Sequence, residues 1–277
     1  MTRPLVSIVI SNYNYGRFLA EAIESTLQQD CSYAEVIVVD DGSTDDSRKV
    51  MRSYGNAIVS IFQNHSGQAS AWNAGVVVSH GKWVLFLDSD DRLADHAIGT
   101  IVANGTRNPA ASKIHWRMHL IGELGQRLGV SIPDGPLPNG DRFSELIEFG
   151  FDRGPNLATS GNSWSTKFLE QVLPIPETPF LIGADTYLLG LSPLFGTTCA
   201  IDSFCSEYRC HKNNNGAAGP ARIRAAEIIR QSSLVFDRIA VELTKRGFQV
   251  NPERWKEVNP TFIRYRRIAE GLDDDPA

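Results

Sequence analysis

Residues 83–91 read WVLFLDSDD, five apolar residues running straight into four polar ones, three of them aspartates. A short run of that kind, rich in branched and aromatic side chains, suits a strand buried on both faces, as in a parallel sheet covered by helices. Three earlier stretches are built alike: Val6–Ile10, Glu35–Val39 and Ile58–Phe62. Between them the spacing turns helical. Leu19, Ala22, Ile23, Thr26 and Leu27 recur at i, i+3, i+4, i+7 and i+8, and Ser47, Val50, Met51 and Tyr54 repeat the interval. Ser43 with Asp46 three residues on is expected to cap the second helix. A third helix is expected to start near Ser66–Gly67, with Trp72 and Val76 on one face. The order β-α-β-α-β-α-β predicts an α/β fold, a right-handed, Rossmann-like, mostly parallel sheet flanked by helices.

Beyond Asp91 the pattern changes. Ile114, Trp116, Met118 and Leu120 alternate with His115, Arg117 and His119, which predicts an antiparallel strand with one wetter face. Gly122–Gly129 reads as a hairpin and Pro133–Gly140 as a loop. Helices are expected over Phe143–Phe149, Ser165–Leu173 and Asp185–Leu191, and a second alternating strand over Cys199–Tyr208. From Pro220 a long helix runs to Gly247, and Asn251-Pro252 and Asn259-Pro260 start further helices. The division expected is residues 1–92 as the parallel half, 93–219 as a mixed half of the same globule, and 220–277 as a C-terminal helical extension.

With 27 basic against 32 acidic residues in 277, the formal charge is −5. That argues against a nucleic-acid partner, which needs a basic face to displace counterions from phosphates. No stretch reaches the roughly 18–20 apolar residues of a membrane span, and the first apolar run is too short for a signal-peptide core. The four cysteines, Cys31, Cys199, Cys205 and Cys210, are few for this length and fit free thiols in a reducing compartment. Their spacings, even with His211 added, are too irregular for a zinc site. A soluble, cytoplasmic protein is the expectation.

Open parallel sheets bind ligands outside the carboxyl ends of their strands. Those ends here are Ser11-Asn12-Tyr13-Asn14, Asp40 to Asp45, Asn64-His65-Ser66-Gly67, and Asp88-Ser89-Asp90-Asp91. Each alone reads equally well as a turn, since Asp and Asn favour turns; four on one sheet edge would build a single polar crevice. Three carboxylates within four residues repel one another unless protonated or neutralised by a cation, and hard oxygen ligands suit Mg²⁺ or Mn²⁺. Of Asp40 and Asp41, one is expected to start the turn and the other to face the crevice. A carboxylate there accepts the imide N–H of a uracil or thymine, with Tyr13 stacked on the base and Ser11 bonded to its edge.

The stretches 6–14, 39–47, 64–75 and 86–91 resemble, in order and spacing, the motifs of the family 2 glycosyltransferases. The resemblance covers about the first third of the chain. It implies the GT-A fold, an inverting transfer from a nucleoside-diphosphate sugar, UDP- or dTDP-linked, to a sugar or lipid-linked sugar acceptor, and a divalent metal cofactor, Mn²⁺ or Mg²⁺. Ser11, Tyr13, Asp41, Asn64, Gly67, Asp88 and Ser89 would then bind the donor nucleotide. Asp88-Ser89-Asp90 would be the D-x-D motif, with Asp90 as metal ligand and Asp88, Asp91 and His211 as further candidates. Asp185 falls where the family keeps its catalytic base, although Ala184 replaces the acidic partner often found beside it, and an Asp there also suits a plain helix cap. Tyr208-Arg209-Cys210-His211 resembles a further signature, with Arg209 near the diphosphate, and Asn162 and Trp164 fall where an acceptor loop would be. Trp72 stands where many members have a basic residue. Two rivals are a nucleotide-sugar-binding protein without turnover and a nucleotidyltransferase, the latter disfavoured because the loop after the first strand lacks a glycine cluster. The basic and aromatic stretch Arg254–Arg267 reads either as a solvated helix face with aromatics inward or as a peripheral membrane contact.

Overall fold

The computed structural model describes residues 5–29, 33–151, 158–212, 214 and 220–274. The chain opens with β1 (Val6–Asn12), α1 (Gly16–Leu27), β2 (Ala34–Asp41), α2 (Ser47–Ser53), β3 (Val59–Gln63), α3 (Gln68–Val77) and β4 (Trp83–Asp88). It continues through β5 (Arg92–Leu93), α4 (Ala97–Arg107), the hairpin strands β6 (Ala111–Ile121) and β7 (Arg127–Ile132), and α5 (Phe143–Phe149). Then come β8 (Asn162–Ser165), α6 (Thr166–Val172), α7 (Asp185–Leu191) and β9 (Thr197–Arg209), before the helices α8 (Ala221–Lys245), α9 (Pro252–Val258) and α10 (Pro260–Glu270).

Among the described residues one nine-stranded sheet runs β3-β2-β1-β4-β8-β6-β9-β5, with β7 paired to β6. β1 lies parallel to both β2 and β4, and the register sets Ser11 against Val39 on one side and Asp88 on the other. The carboxyl ends of the three central strands therefore finish level. The sheet passes without a break from the parallel half into the mixed half through the antiparallel pairing of β4 with β8.

Each face of the sheet has its own core. Leu19 and Ile23 of α1, Met51 of α2 and Ile98 and Ile101 of α4 pack with Ile8, Leu85 and Ile114 on one side. On the other, Trp72, Phe168, Leu188, Phe236, Trp255 and Phe262 from six helices pack on Val9, Val84 and Phe86. Trp255 and Phe262 of the basic C-terminal stretch are thus turned inward, and Arg266 lies over the Phe262 ring.

Several local expectations need correction. β3 is an edge strand whose Val59 and Phe62 are exposed, and among the described residues no strand pairs beyond it. The start of α2 is not closed by Ser43 and Asp46; Asp45 accepts from the Ser47 N–H at 3.0 Å, while the Ser43 hydroxyl bonds the β1 loop. β6 is not wet on one side: it is central, antiparallel to β7 and β8 but parallel to β9, so that His115 is fully buried. The stretch 162–165, expected as a loop, is the strand β8. Helix α4 was not foreseen.

Candidate active site

The first two motifs build the rim from structural bonds. Asp40, fully buried, accepts from Asn12 Nδ2, the Ser43 N–H and Arg48 Nε. Asp41 is equally committed. One of its oxygens accepts from Gln63 Nε2 (2.7 Å) and the Ser66 N–H (2.9 Å), the other from His65 Nδ1 (2.8 Å) and the Gly67 N–H (2.8 Å). An ionised carboxylate offers about four acceptor positions, so both aspartates hold loops, and the expected division into one structural and one crevice-facing residue is corrected. Tyr13, half exposed, stacks on His65 with ring centroids 3.9 Å apart. Ser11 accepts from Trp72 Nε1 at 3.2 Å and keeps its own proton to donate. Trp72 itself is buried and stacked on Phe86. Asn64 is exposed, and its carbonyl accepts from the Ser66 hydroxyl. Gly67 has φ +93°, and a Cβ there would sit 2.7 Å from Leu181 Cα. The loop after β3 is thereby pressed onto the loop before α7.

That contact brings Asp185 to the aspartates. Gln68, the first residue of α3, donates from its backbone N–H to the Leu181 carbonyl at 2.8 Å. Its side-chain oxygen accepts from the N–H groups of Gly183 (2.9 Å) and Ala184 (3.0 Å), and the same side chain hydrogen-bonds Asp88. From the far side Gln231 of α8, buried, donates to the carbonyls of Ile182 (2.7 Å) and Pro179 (3.2 Å). Burial first, then the charges of Asp90 and Asp185, push Asp88 well above the usual carboxylate range. Asp185 is therefore close enough to share the electrostatics of the D-x-D loop.

The third strand of the site arrives from the end of β9. Because β9 runs antiparallel to β5, with Arg92 opposite Glu207, the residues just past Glu207 lie beside those just before Arg92. The Arg209 N–H donates to Asp91 Oδ1 at 2.8 Å, and its Nε to the Asp90 carbonyl at 2.7 Å; its guanidinium also pairs with Glu21. At 1% exposure Arg209 does not reach the rim; it buttresses the loop from beneath, which corrects its placement near a diphosphate. His211 Nε2 lies 2.9 Å from Asp90 Oδ2. Tyr15 closes over this pair, its hydroxyl pushed up to about 12 by burial and then by Asp90 and Asp88.

Asn162 and Trp164 are placed differently from expectation. Trp164 is 1% exposed within the core of the α7 face, and Asn162, fully buried, bonds the Ala158 carbonyl. Their strand lies deeper in the sheet than an acceptor loop would. The residues beside it that touch the rim are Thr159, bonded to Asp88, and Ser160, which accepts from the Asp88 N–H at 3.1 Å and bonds Asp91. Ser89 is buried within the loop. His65 lay within the quoted end of the third strand, whereas Gln68, Gln231 and Ser160 were not singled out from the sequence. Only Gln68 carried a signal, its place directly after Gly67 in the third motif.

Among the described residues no three His, Cys, Asp or Glu side chains are grouped to hold a metal ion. Asp88 is turned to Gln68 and Thr159, and Asp91 to Arg209 and Ser160; of the four candidate ligands, Asp90 and His211 are the two in direct contact. The surroundings fit a cation nonetheless. Among the described residues Asp91 Oδ2 is buried without a hydrogen-bond partner, and burial and the charges of Asp90 and Asp88 push Asp91 well upward. A carboxylate and an imidazole suit Mn²⁺, whose remaining positions waters and phosphates can fill. Cys199, Cys205 and Cys210 are free thiols, and Cys31 lies outside the described residues. No helix of the described residues is long and apolar enough to cross a membrane.

Comparison with known proteins agrees with this geometry. The profile of glycosyl transferase family 2 matches residues 7–160. An uncharacterised glycosyltransferase of Nostoc sp. is 31% identical over 233 residues, 83% of this chain and 72% of its own. Chondroitin synthase of Escherichia coli is 39% identical over 98 residues, 34% of this chain but 14% of that one. Among solved structures, S. aureus TarS 1–349 in complex with UDP-GlcNAc superposes with a TM-score of 0.65 at 16% identity, covering 95% of this chain and 73% of that one. A mannosyltransferase from Pyrobaculum calidifontis, in complex with GDP-Man and Mn²⁺, gives a TM-score of 0.57 at 16% identity, covering 100% of this chain and 78% of that one. Those two likenesses establish the GT-A architecture. With the sequence match spanning the loops that follow β1, β2, β3 and β4, the chain belongs to glycosyl transferase family 2.

Proposed function

We propose that the protein is a metal-dependent, inverting glycosyltransferase that moves a sugar from a nucleoside-diphosphate sugar to an acceptor hydroxyl, in surface polysaccharide or glycoconjugate synthesis. The observation that carries the reading is the approach of Asp185 to Asp88, bridged by Gln68. It would set a general base beside the loop that would hold the donor. Asp185 accepts the proton of the acceptor hydroxyl as its oxygen bonds the anomeric carbon. The bond to the diphosphate oxygen breaks on the opposite face, which inverts that carbon.

Asp90 and His211 would hold the divalent ion, Mn²⁺ or Mg²⁺, which stabilises the charge that develops on the departing diphosphate. Tyr13, stacked on His65, and the free proton of Ser11 offer a face and an edge to a uracil or thymine base. The TarS and mannosyltransferase structures bind UDP-GlcNAc and GDP-Man respectively, which supports the donor class and leaves base and sugar to experiment. The acceptor is a sugar or a lipid-linked sugar; a lipid-linked one would bring the protein to the inner face of a membrane. Purified protein assayed with UDP-, dTDP- and GDP-sugars and Mn²⁺ should transfer from one class. Release of nucleoside diphosphate that no acceptor accelerates would replace the transferase with a donor-binding protein.

A further inference from the structure

Well away from the rim, on the face covered by α7 and α8, lies a cavity of about 280 Å³. Its floor is Lys113 of β6, in register with Trp164 and through it with Val84, four residues before Asp88. At about 3.3 Å per residue that is some 13 Å along the strand from the D-x-D loop. Leu189, near the end of α7 opposite Asp185, forms part of its wall.

Lys113 is 5% exposed, and among the described residues it makes no hydrogen bond and no ion pair; its Nζ lies 5.9 Å from the centre of the Trp164 ring. The other charges lining the cavity, Arg142 and Glu145, are paired with each other. Among the described residues, Lys113 is therefore the unbalanced charge of the lining. A buried ion without a partner is costly, and the cost is offset by an ion of opposite sign at hydrogen-bond distance. Burial, then the charge of Arg142, pushes Lys113 down to about 7, as expected of an ammonium that has lost water and gained no counterion. The rest of the wall is mostly apolar, with Leu146, Phe149 and Leu189, and carries the hydroxyls of Ser192 and Thr198. The volume is about twice the ~150 Å³ that admits benzene in an engineered apolar cavity.

We propose that this cavity binds a small amphiphilic anion, its carboxylate or phosphate head on Lys113 and its apolar body against Phe149 and Leu189. Nothing in the transfer reaction bears on the assignment, so its failure and that of the proposed function are separable.

Titration calorimetry and thermal shift on the purified protein, with octanoate, octyl phosphate, octanol and inorganic phosphate, test it. Octanoate or octyl phosphate should bind at least tenfold tighter than octanol and than inorganic phosphate, and should raise the midpoint by a few degrees at ten times Kd. In Lys113→Met the preference over octanol should vanish. Equal affinity for octanoate, octyl phosphate and octanol, no binding by any of them, or a preference that survives in Lys113→Met would overturn the proposal. Inorganic phosphate binding as tightly as octyl phosphate would overturn it too, since the apolar wall would then contribute nothing. Should Lys113→Met fail to fold, the comparison of the four probes on the unaltered protein decides.

Discussion

The side-chain oxygen of Gln68 accepts a hydrogen bond from the backbone N–H of Ala184 at 3.0 Å, one residue before Asp185. The same side chain also hydrogen-bonds Asp88. One neutral side chain thus fixes the spacing between the loop that would hold the donor and the carboxylate that would take the acceptor proton. Misplacement of a reacting group by about 1 Å can cost on the order of 10²-fold in rate. Gln68→Ala is expected to lower kcat for transfer by about ten- to a hundredfold while donor affinity stays within about twofold. Steady-state kinetics beside calorimetric donor binding measure the two; an unchanged kcat removes Gln68 from positioning.

Asp185→Asn keeps the shape of the side chain and removes its capacity to take a proton. Transfer should fall by about 10²–10⁴-fold, the range of general-base assistance, with donor binding and thermal midpoint preserved. Wild-type turnover in this variant would dismiss Asp185 as the base.

The pairing of Asp90 with His211 at 2.9 Å predicts a shared dependence on metal. EDTA should abolish transfer and added Mn²⁺ restore it. His211→Gln should raise the Mn²⁺ concentration for half-maximal activity by roughly tenfold or more, and Asp90→Asn further. A Mn²⁺ titration curve that coincides with wild type would place the imidazole outside the metal site.

Asp41 accepts four hydrogen bonds at a buried position, two of them from backbone N–H groups of the loop before α3. Asp41→Ala leaves those donors unmatched and should lower stability by about 2–4 kcal/mol, read from urea unfolding. An unchanged midpoint with weakened nucleotide binding would instead assign Asp41 to the base.

Lys113 gives a pH-dependent effect whose sign is fixed. Its folded value lies near 7, against an ordinary value of 10.5. Between the two, the unfolded chain holds the proton and the folded chain does not, so stability rises with pH across that window. Below about 7 both states are charged and the whole penalty is felt; above 10.5 neither is. Lys113→Met should therefore be more stable than wild type at pH 6–7, by an amount on the order of a few kcal/mol, and the gap should close toward pH 10. Parallel unfolding curves at pH 6, 8 and 10 measure it; a constant gap would contradict the burial of this ammonium.

The parallel half was legible in the sequence because its information is local. Apolar runs with little polar interruption at 6–10, 35–39 and 83–87 suit burial on both faces, and helical spacing between them leaves few ways to connect the strands. That already fixes which loops share an edge, and with them Ser11, Asp41 and Asp88. The tertiary structure decided what those side chains do there. Asp41 is filled by donors from residues 63–67, Arg209 is drawn beneath Asp90 because β9 runs back along β5, and Trp164 is claimed by a strand that pairs with β4 and β6. His211 and Asp90 are 121 residues apart, and Gln68 and Ala184 are 116 apart. Contacts at such separations follow from strand register and from which faces pack together, and no run or spacing along the chain encodes either.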